Sequence, residues 1–352
     1  MSFSHISVEP LTPTIGGIIH GVDLNAVKNP AVYEEIKQAL WKHGVIFFRN
    51  QPIKPEAYLN LGRVFGEPEK HEFFPHVEGF PQIQKISHQG YSKPDTDRWH
   101  HDVSFRKSPT LVSILRANQL PQSGGDTMWM NCARAFEELG PGLQSLLLGV
   151  EAVHDLPWSF RKNDNYATIA EMNGVDRLEY ELDMIRKSPE MAHPAIVNHP
   201  VTKKLTLYVN SIWTRKLRGI HPDLSDALLA MLFEWVKKPE FMCRFRWEQD
   251  SIAIWDNLAT QHYAVFDYAP HYREMLRMTA GNFTPELDRA TVPAEMVPAS
   301  WHSSPSAQRA LDSIVDKSRL AQSSPQERAA VGAIFEALDR VDLDALAARA
   351  KR

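Results

Sequence analysis

The chain has 352 residues, 43% of them hydrophobic and 23% charged, with a formal net charge of −4, which suits one large or two small domains with a sizeable core. The slightly acidic balance, with no long Lys/Arg block, argues against a nucleic-acid binder. Cys132 and Cys243 are the only cysteines and make no disulfide framework; with no signal-peptide pattern at Met1–His5 and no apolar run near the ~20 residues of a membrane span, the expectation is a cytoplasmic protein with no membrane partner.

Residues 6–24 hold short β-like pieces broken by Gly16-Gly17 and Gly21. Val32, Ile36 and Leu40 predict a helix over 31–43, with Gly44 at its C-terminal cap. Val45–Phe48 reads as a buried strand, Pro55–Phe65 as a helix and His71–His76 as a loop. Trp99-His100-His101-Asp102-Val103-Ser104-Phe105 reads as a strand, because Trp, Val and Phe favour a pleated backbone. Leu111–Arg116 and Thr127–Trp129 read as strands around a turn at Ser123-Gly124-Gly125-Asp126. Short helices are predicted at 132–139 and after Pro141. Residues 161–192 are polar and mixed, the pattern of an active-site lid. A strand follows at Leu205–Val209 and an amphipathic helix at 225–238. Met242–Trp247, Ser251–Trp255 and Arg273–Thr279 are strand-like. Many short strands with turn signals between them suggest a β-sandwich or jelly roll. Pro285–Pro305 reads as a Pro-rich connector to a helical C-terminal extension with Val331, Ile334, Phe335 and Leu338 at helical spacing.

Chemistry centres on Trp99–Phe105. On a strand, His100 and Asp102 share one face and His101 the other. Two His and one carboxylate with open positions is the ligand set of non-haem Fe(II) oxygenases. A His-x-Asp triplet alone is common by chance, and a surface His beside an Asp in a β-turn is the bland alternative. The second stretch, Ile254-Trp255-Asp256-Asn257 through Gln261-His262-Tyr263, supplies a third candidate ligand, His262. Beyond it Arg273, Met275, Arg277 and Thr279 alternate onto one face of a strand. Inward guanidiniums need anionic partners, and Arg suits a carboxylate because it binds bidentately.

With Trp99-His100-x-Asp102, Gly124-Gly125-Asp126-Thr127, Trp255-Asp256-Asn257, Gln261-His262-Tyr263 and Arg273-x-x-x-Arg277 together, the chain resembles the taurine dioxygenase and 2,4-dichlorophenoxyacetate dioxygenase (TauD/TfdA) family from about Val8 to about Phe283. The resemblance implies a mainly β fold with flanking helices, a double-stranded β-helix (a cupin-like jelly roll), over residues 1–284, with residues 285–352 as the extension. It implies Fe(II) held by His100, Asp102 and His262, and 2-oxoglutarate as cosubstrate, held at its distal carboxylate by Thr127 and Arg273. Arg277 matches an Arg near the cosubstrate's other carboxylate and the substrate's anionic head, where His71 is also expected. Phe74 falls where the taurine enzymes carry Tyr, Thr96 where they carry Asn and Trp213 where they carry Phe, while Ser159-Phe160 matches the family's Ser-Phe pair. The anion end is thus kept and the amine end is more apolar. The implied reaction is O2-dependent hydroxylation of a small anionic molecule (an alkyl sulfonate, sulfate or carboxylate), with release of succinate and CO2; a homo-oligomer is expected.

Two other classes compete. A non-catalytic metal or small-molecule binding protein of the same fold has no need of an open coordination position. A zinc hydrolase leaves Thr127 and Arg273 without a task. Among the remaining candidates, His101 is expected in the core or behind the ligands, His88 and His154 as structural, Trp99 and Trp255 as barrel packing, and Cys132 as a buried, inert thiol.

Overall fold

The computed structural model describes residues 3–70, 75–91, 96–162 and 176–297. The chain enters through β1 (Ser7–Pro10) and β2 (Gly17–His20). Asn29 caps α1 (Pro30–His43), its side-chain oxygen accepting from Ala31 N–H, and Gly44 ends it at φ +72°, a backbone conformation open to glycine. β3 (Val45–Phe48) is buried throughout, and α2 (Pro55–Arg63) follows. Then come β4 (His76–Val77), β5 (Phe80–His88), β6 (Thr110–Gln119), β7 (Thr127–Asn131), α3 (Cys132–Glu137), α4 (Pro141–Leu148), β8 (Glu151–His154) and α5 (Leu156–Lys162). The chain continues with α6 (Arg177–Lys187), β9 (Met191–Pro194), β10 (Ile196–Asn198), β11 (Leu205–Leu207), β12 (Thr214–Leu217), α7 (Pro222–Trp235), β13 (Met242–Phe245), β14 (Ile252–Asp256), β15 (Thr260–Ala264) and β16 (Arg273–Asn282).

The large sheet runs β1-β2-β3-β14-β6-β16-β5-β4, and a smaller one runs β13-β7-β15. Side chains alternate across each strand, so the large sheet has two working faces. Ile46, Phe48, Ile114, Ile254, Leu276 and Met278 pack against Ile36, Ala39 and Leu40 of α1 and Tyr58 and Leu61 of α2. Phe47, Leu115, Trp255 and Met275 point the other way and meet Trp129 and Phe245 of the smaller sheet. Phe47 stacks on Phe245 with centroids 4.0 Å apart. Burial of each such side chain contributes about 1.5–3 kcal/mol. Two sheets facing across this core, with helices outside, form the expected jelly roll. A three-stranded sheet β12-β8-β9 and the pair β10-β11 extend it; the three-stranded sheet takes its cover from α7 through the fully buried Leu232 and its neighbours.

The structure corrects the sequence reading in places. Trp99–Phe105 is not a strand: His100 forms a single bridge to His262, and residues 102–105 form a turn. Val103 sits at φ +48°, unfavourable for a β-branched residue, and tertiary contacts described below hold it there. His76 opens a short strand rather than closing a loop, and β5, β8, β9, β10, β12 and β15 were not anticipated as strands. Of the expected lid, 163–175 lies outside the described residues; the rest is the end of α5, α6 and β9. The helical extension also lies outside them; the described part of the connector carries short 3-10 turns at Arg289–Thr291 and Ala294–Met296. Among the described residues no helix is long and apolar enough to cross a membrane.

Candidate active site

His100, Asp102 and His262 come together, all buried, with potential ligand atoms within 4.8 Å of one another. His262 arrives on β15. His100 arrives from the turn side and pairs with it, His100 N–H donating to His262 O (3.1 Å) and His262 N–H to His100 O (3.0 Å). Asp102 is fixed by Asn257, whose Oδ1 accepts from Asp102 N–H (2.7 Å) and whose Nδ2 donates to Asp102 O (3.0 Å) and Thr110 O (2.9 Å). These bonds bend the chain after His101 and set His100 and Asp102 on one side without a strand.

Asp102 Oδ1 stands 3.8 Å from His100 Nε2 and 3.8 Å from His262 Nε2. His100 Nδ1 lies 2.8 Å from Arg98 O, so Nδ1 carries the proton and Nε2 keeps its lone pair. Asp102 Oδ2 accepts from Ser113 Oγ (2.7 Å) and lies 2.8 Å from Arg277 NH2. Burial alone would raise the Asp102 carboxyl, but Arg277, His262, His100 and the Ser113 hydroxyl together hold it well below the usual carboxylate range. Burial holds the imidazoles of His100 and His262 below their ordinary value and therefore neutral. An anionic oxygen and two imidazole lone pairs, converging from one side, are the donor set of a divalent metal centre. Ligands about 2.1 Å from an ion stand about 3 Å apart, so each 3.8 Å separation from Asp102 Oδ1 to an imidazole needs a contraction of about 1 Å to share one ion.

A second group lies on the same inner face. Arg273 is 8% exposed, and its Nε and NH2 have no hydrogen-bond partner. Burial pulls its pKa below the ordinary arginine value; Asp126 and Asp267 oppose this only from a distance, and no carboxylate among the described residues bonds the guanidinium directly to offset its desolvation. Gly125 makes room for it: at φ +73°, a Cβ there would lie 2.9 Å from Arg273 Cδ and Nε. Asp267 Oδ1 anchors the same turn by accepting from Gly125 N–H at 2.7 Å. Thr127 is buried, and its Oγ1 accepts from Trp247 Nε1 (3.0 Å), so its own proton is free to be donated onward. An unpaired guanidinium and an outward-donating hydroxyl fit the carboxylate of 2-oxoglutarate.

The expected substrate residues divide. Phe160 and Trp213 share a small apolar cluster with Phe105, Leu156, Tyr180 and Met184. Trp213 Nε1 donates to His101 O (3.0 Å), and its ring meets Phe105 at 4.8 Å. Ser159 is buried beside them in α5. Thr96 is exposed, and its carbonyl accepts from Ala264 N–H (2.9 Å). His71 and Phe74 lie outside the described residues. His101 is fully buried, its pKa driven by burial to about 3. Cys132 is buried with its thiol pushed up by burial, and Cys243 likewise, to about 12. Ser113 and Trp247 were missed as site residues. Asn257 was noticed only as part of a motif. The available signal for Ser113 was a hydroxyl set among Leu111, Val112, Ile114 and Leu115 in the apolar part of β6.

The family model described as "Taurine catabolism dioxygenase TauD, TfdA family" matches residues 7–279. The chain belongs to this family. It is 33% identical over 294 residues to an "Alpha-ketoglutarate-dependent sulfate ester dioxygenase" of Pseudomonas putida, covering 81% of this chain and 94% of the relative. It is 32% identical over 284 residues to an "Alkylsulfatase" of Acinetobacter baylyi (strain ATCC 33305 / BD413 / ADP1), covering 79% and 86%. A crystal structure described as a putative alpha-ketoglutarate-dependent taurine dioxygenase from Burkholderia xenovorans superposes with a TM-score of 0.67 at 33% identity, covering 80% of this chain and 94% of that one. This TauD/TfdA member is therefore an Fe(II)- and 2-oxoglutarate-dependent dioxygenase that uses O2 on a small-molecule substrate, and the donor sets at the triad and at Arg273 fit those groups.

Proposed function

We propose that the enzyme hydroxylates an alkyl sulfate ester or alkyl sulfonate at the carbon next to the sulfur-bearing group. The observation that carries this reading is a pairing of opposites around the triad: the Arg277 guanidinium lies 2.8 Å from Asp102, and an apolar wall of Phe105, Phe160 and Trp213 begins three residues beyond Asp102. An anionic head and an alkyl body match that pair. The relatives named for sulfate ester and alkylsulfatase activity support it.

Iron bound by the triad supplies the oxidising chemistry that couples decarboxylation of 2-oxoglutarate to hydroxylation of a substrate carbon. The chain's own residues bind and orient. Arg273 and Thr127 take the distal carboxylate of 2-oxoglutarate, the guanidinium bidentately and the hydroxyl as a single donor. Arg277, together with His71, takes the substrate's anionic oxygens. Phe160 and Trp213 hold the alkyl chain and exclude water. Hydroxylation of a carbon bearing –OSO3⁻ gives an unstable adduct that collapses to an aldehyde and sulfate; a carbon bearing –SO3⁻ gives an aldehyde and sulfite. One O2 and one 2-oxoglutarate are consumed per turnover, with one succinate and one CO2 formed.

The test is a panel of alkyl sulfates, alkyl sulfonates, taurine and alkyl or aryloxy carboxylates, each incubated with Fe(II), 2-oxoglutarate and O2. Succinate and released sulfate or sulfite are both measured. Equimolar succinate and sulfate or sulfite with alkyl sulfates or sulfonates, and far less with taurine, is the expected result. Turnover confined to carboxylates overturns it.

A further inference from the structure

The two oxygens of Asp102 have separate tasks. Oδ1 faces both ligand imidazoles at 3.8 Å. Oδ2 is turned away and held by two donors, Ser113 Oγ at 2.7 Å and Arg277 NH2 at 2.8 Å. These donors differ in rigidity. Ser113 is fully buried on β6, a strand paired on both sides: Ser113 faces Trp255 of β14 in one register and Thr279 of β16 in the other. Its short side chain has one torsion to lose. Arg277 is a long side chain, 12% exposed, and its charge suits the anionic head of a substrate. When Arg277 turns to an anion, Ser113 is the donor that stays on Oδ2.

We propose that Ser113 is a positioning residue that keeps Asp102 a one-oxygen ligand. The reason lies in counting coordination positions. Three protein ligands leave three positions on a six-coordinate ion. A chelating cosubstrate takes two and O2 needs the last. If Oδ2 swung in beside Oδ1, the carboxylate would take two positions and the site would be one short. A hydroxyl donating to Oδ2 opposes that swing, since the bond would have to break with the oxygen fully desolvated. It also fixes the direction in which Oδ1 points, as outer partners of metal ligands do. The inference rests on the triad holding the iron, and it assigns a task to a residue outside the triad.

The experiment uses the full chain under anaerobic conditions, with wild type, Ser113→Ala and Ser113→Thr. Three quantities are read: melting temperature without metal, Mn(II) affinity by EPR titration, and the visible charge-transfer band of the Fe(II)–2-oxoglutarate complex. Outer-shell removal typically weakens metal binding by 10–100-fold. The expected result is at least a tenfold loss of Mn(II) affinity in Ser113→Ala, with a shifted or weakened band, and recovery of both in Ser113→Thr, which restores the hydroxyl. If Ser113→Ala does not fold, Ser113→Cys, near in size and a weak donor, is read in its place. A folded Ser113→Ala with Mn(II) affinity and band within twofold of wild type overturns the proposal. So does a loss that Ser113→Thr does not recover while its melting temperature matches wild type. Failure of the wild-type protein to bind metal or show the band is a different outcome: it sinks the triad itself.

Discussion

Asn257 and Asp102 are 155 positions apart in sequence, and the Asn257 carboxamide grips the Asp102 backbone from both sides, accepting its N–H at 2.7 Å and donating to its carbonyl at 3.0 Å. The same Nδ2 reaches Thr110 O at 2.9 Å. Asn257 is fully buried. Asn257→Ala leaves three backbone groups desolvated and unpaired, each worth about 1–3 kcal/mol. The expected outcome is a loss of about 3 kcal/mol in the metal-free protein, read from urea unfolding, with a fall in metal affinity of more than tenfold. An unchanged unfolding midpoint together with unchanged affinity would show that the turn stands without its clamp.

Arg273 predicts effects of opposite sign on stability and on cosubstrate binding. Its guanidinium is buried with two unpaired nitrogens, so Arg273→Met removes an uncompensated charge and should leave the melting temperature of the ligand-free protein equal or higher. The charge-assisted bonds to 2-oxoglutarate are lost, each worth about 1.5–3 kcal/mol, so its apparent affinity should fall by about a hundredfold or more. Metal affinity should change by less than about threefold. Gly125→Ala attacks the same site from behind, because its Cβ would meet Arg273 at 2.9 Å and its φ is +73°; it should weaken 2-oxoglutarate as well, but with a loss of stability. Isothermal titration of each variant decides, and normal 2-oxoglutarate binding by Arg273→Met would place the cosubstrate elsewhere.

Much of the centre was legible because its chemistry demands particular residue types at particular spacings. The alternation Arg273, Met275, Arg277 against Leu276, Met278 puts cations on the inner face and packing on the helix side, as the structure has it. What was not legible depended on distant partners. Trp99, Val103 and Phe105 have the propensities of a strand, but the turn there is made by a side chain at 257 and tolerates Val103 at φ +48°. β5 escaped notice because Pro81, Gln82, Gln84 and Lys85 break any apolar alternation; its register against β16 makes it a strand. The role of Ser113 needs both neighbours of β6 to be known before its hydroxyl can be aimed.

A pH dependence follows from the histidines behind the site. His193 Nε2 lies 3.1 Å from Ser104 O and 3.0 Å from Arg106 O. Asn210 Nδ2 donates to Ser104 Oγ (2.9 Å), and the same hydroxyl is hydrogen-bonded to His154 Nδ1 (2.9 Å). Burial lowers the pKa of both imidazoles, that of His154 far below its usual value. Both are therefore harder to protonate in the folded protein than in the unfolded chain, where they take up protons below about pH 6.5. The unfolded state then binds more protons than the folded one, so stability is fully present above about pH 6.5 and is lost as the pH falls below it. Each such histidine contributes a slope of up to about 1.4 kcal/mol per pH unit. Melting of the metal-free protein should therefore fall steeply between pH 6.5 and 5 and be nearly flat from 7 to 8. A flat profile down to pH 5 would mean that these rings titrate normally.

Gln84 carries the last prediction. It pairs with Arg277 across β5 and β16. Ile83, beside it, packs in the helix-side core, so Gln84 faces the interior between the sheets. It is fully buried, and neither its Nε2 nor its Oε1 has a hydrogen-bond partner. A buried amide with both ends unpaired costs several tenths to a few kcal/mol, and an apolar group of the same shape removes that cost. Methionine is close to glutamine in length and flexibility and fills irregular space well. Gln84→Met should thus raise the stability of the ligand-free protein by about 1 kcal/mol, seen as a higher urea midpoint at unchanged m. Most buried-site substitutions destabilise, so a gain would be a specific result. A lower midpoint at unchanged m would mean that the amide is hydrogen-bonded in solution, with water inside the barrel beside Arg277 as the available partner.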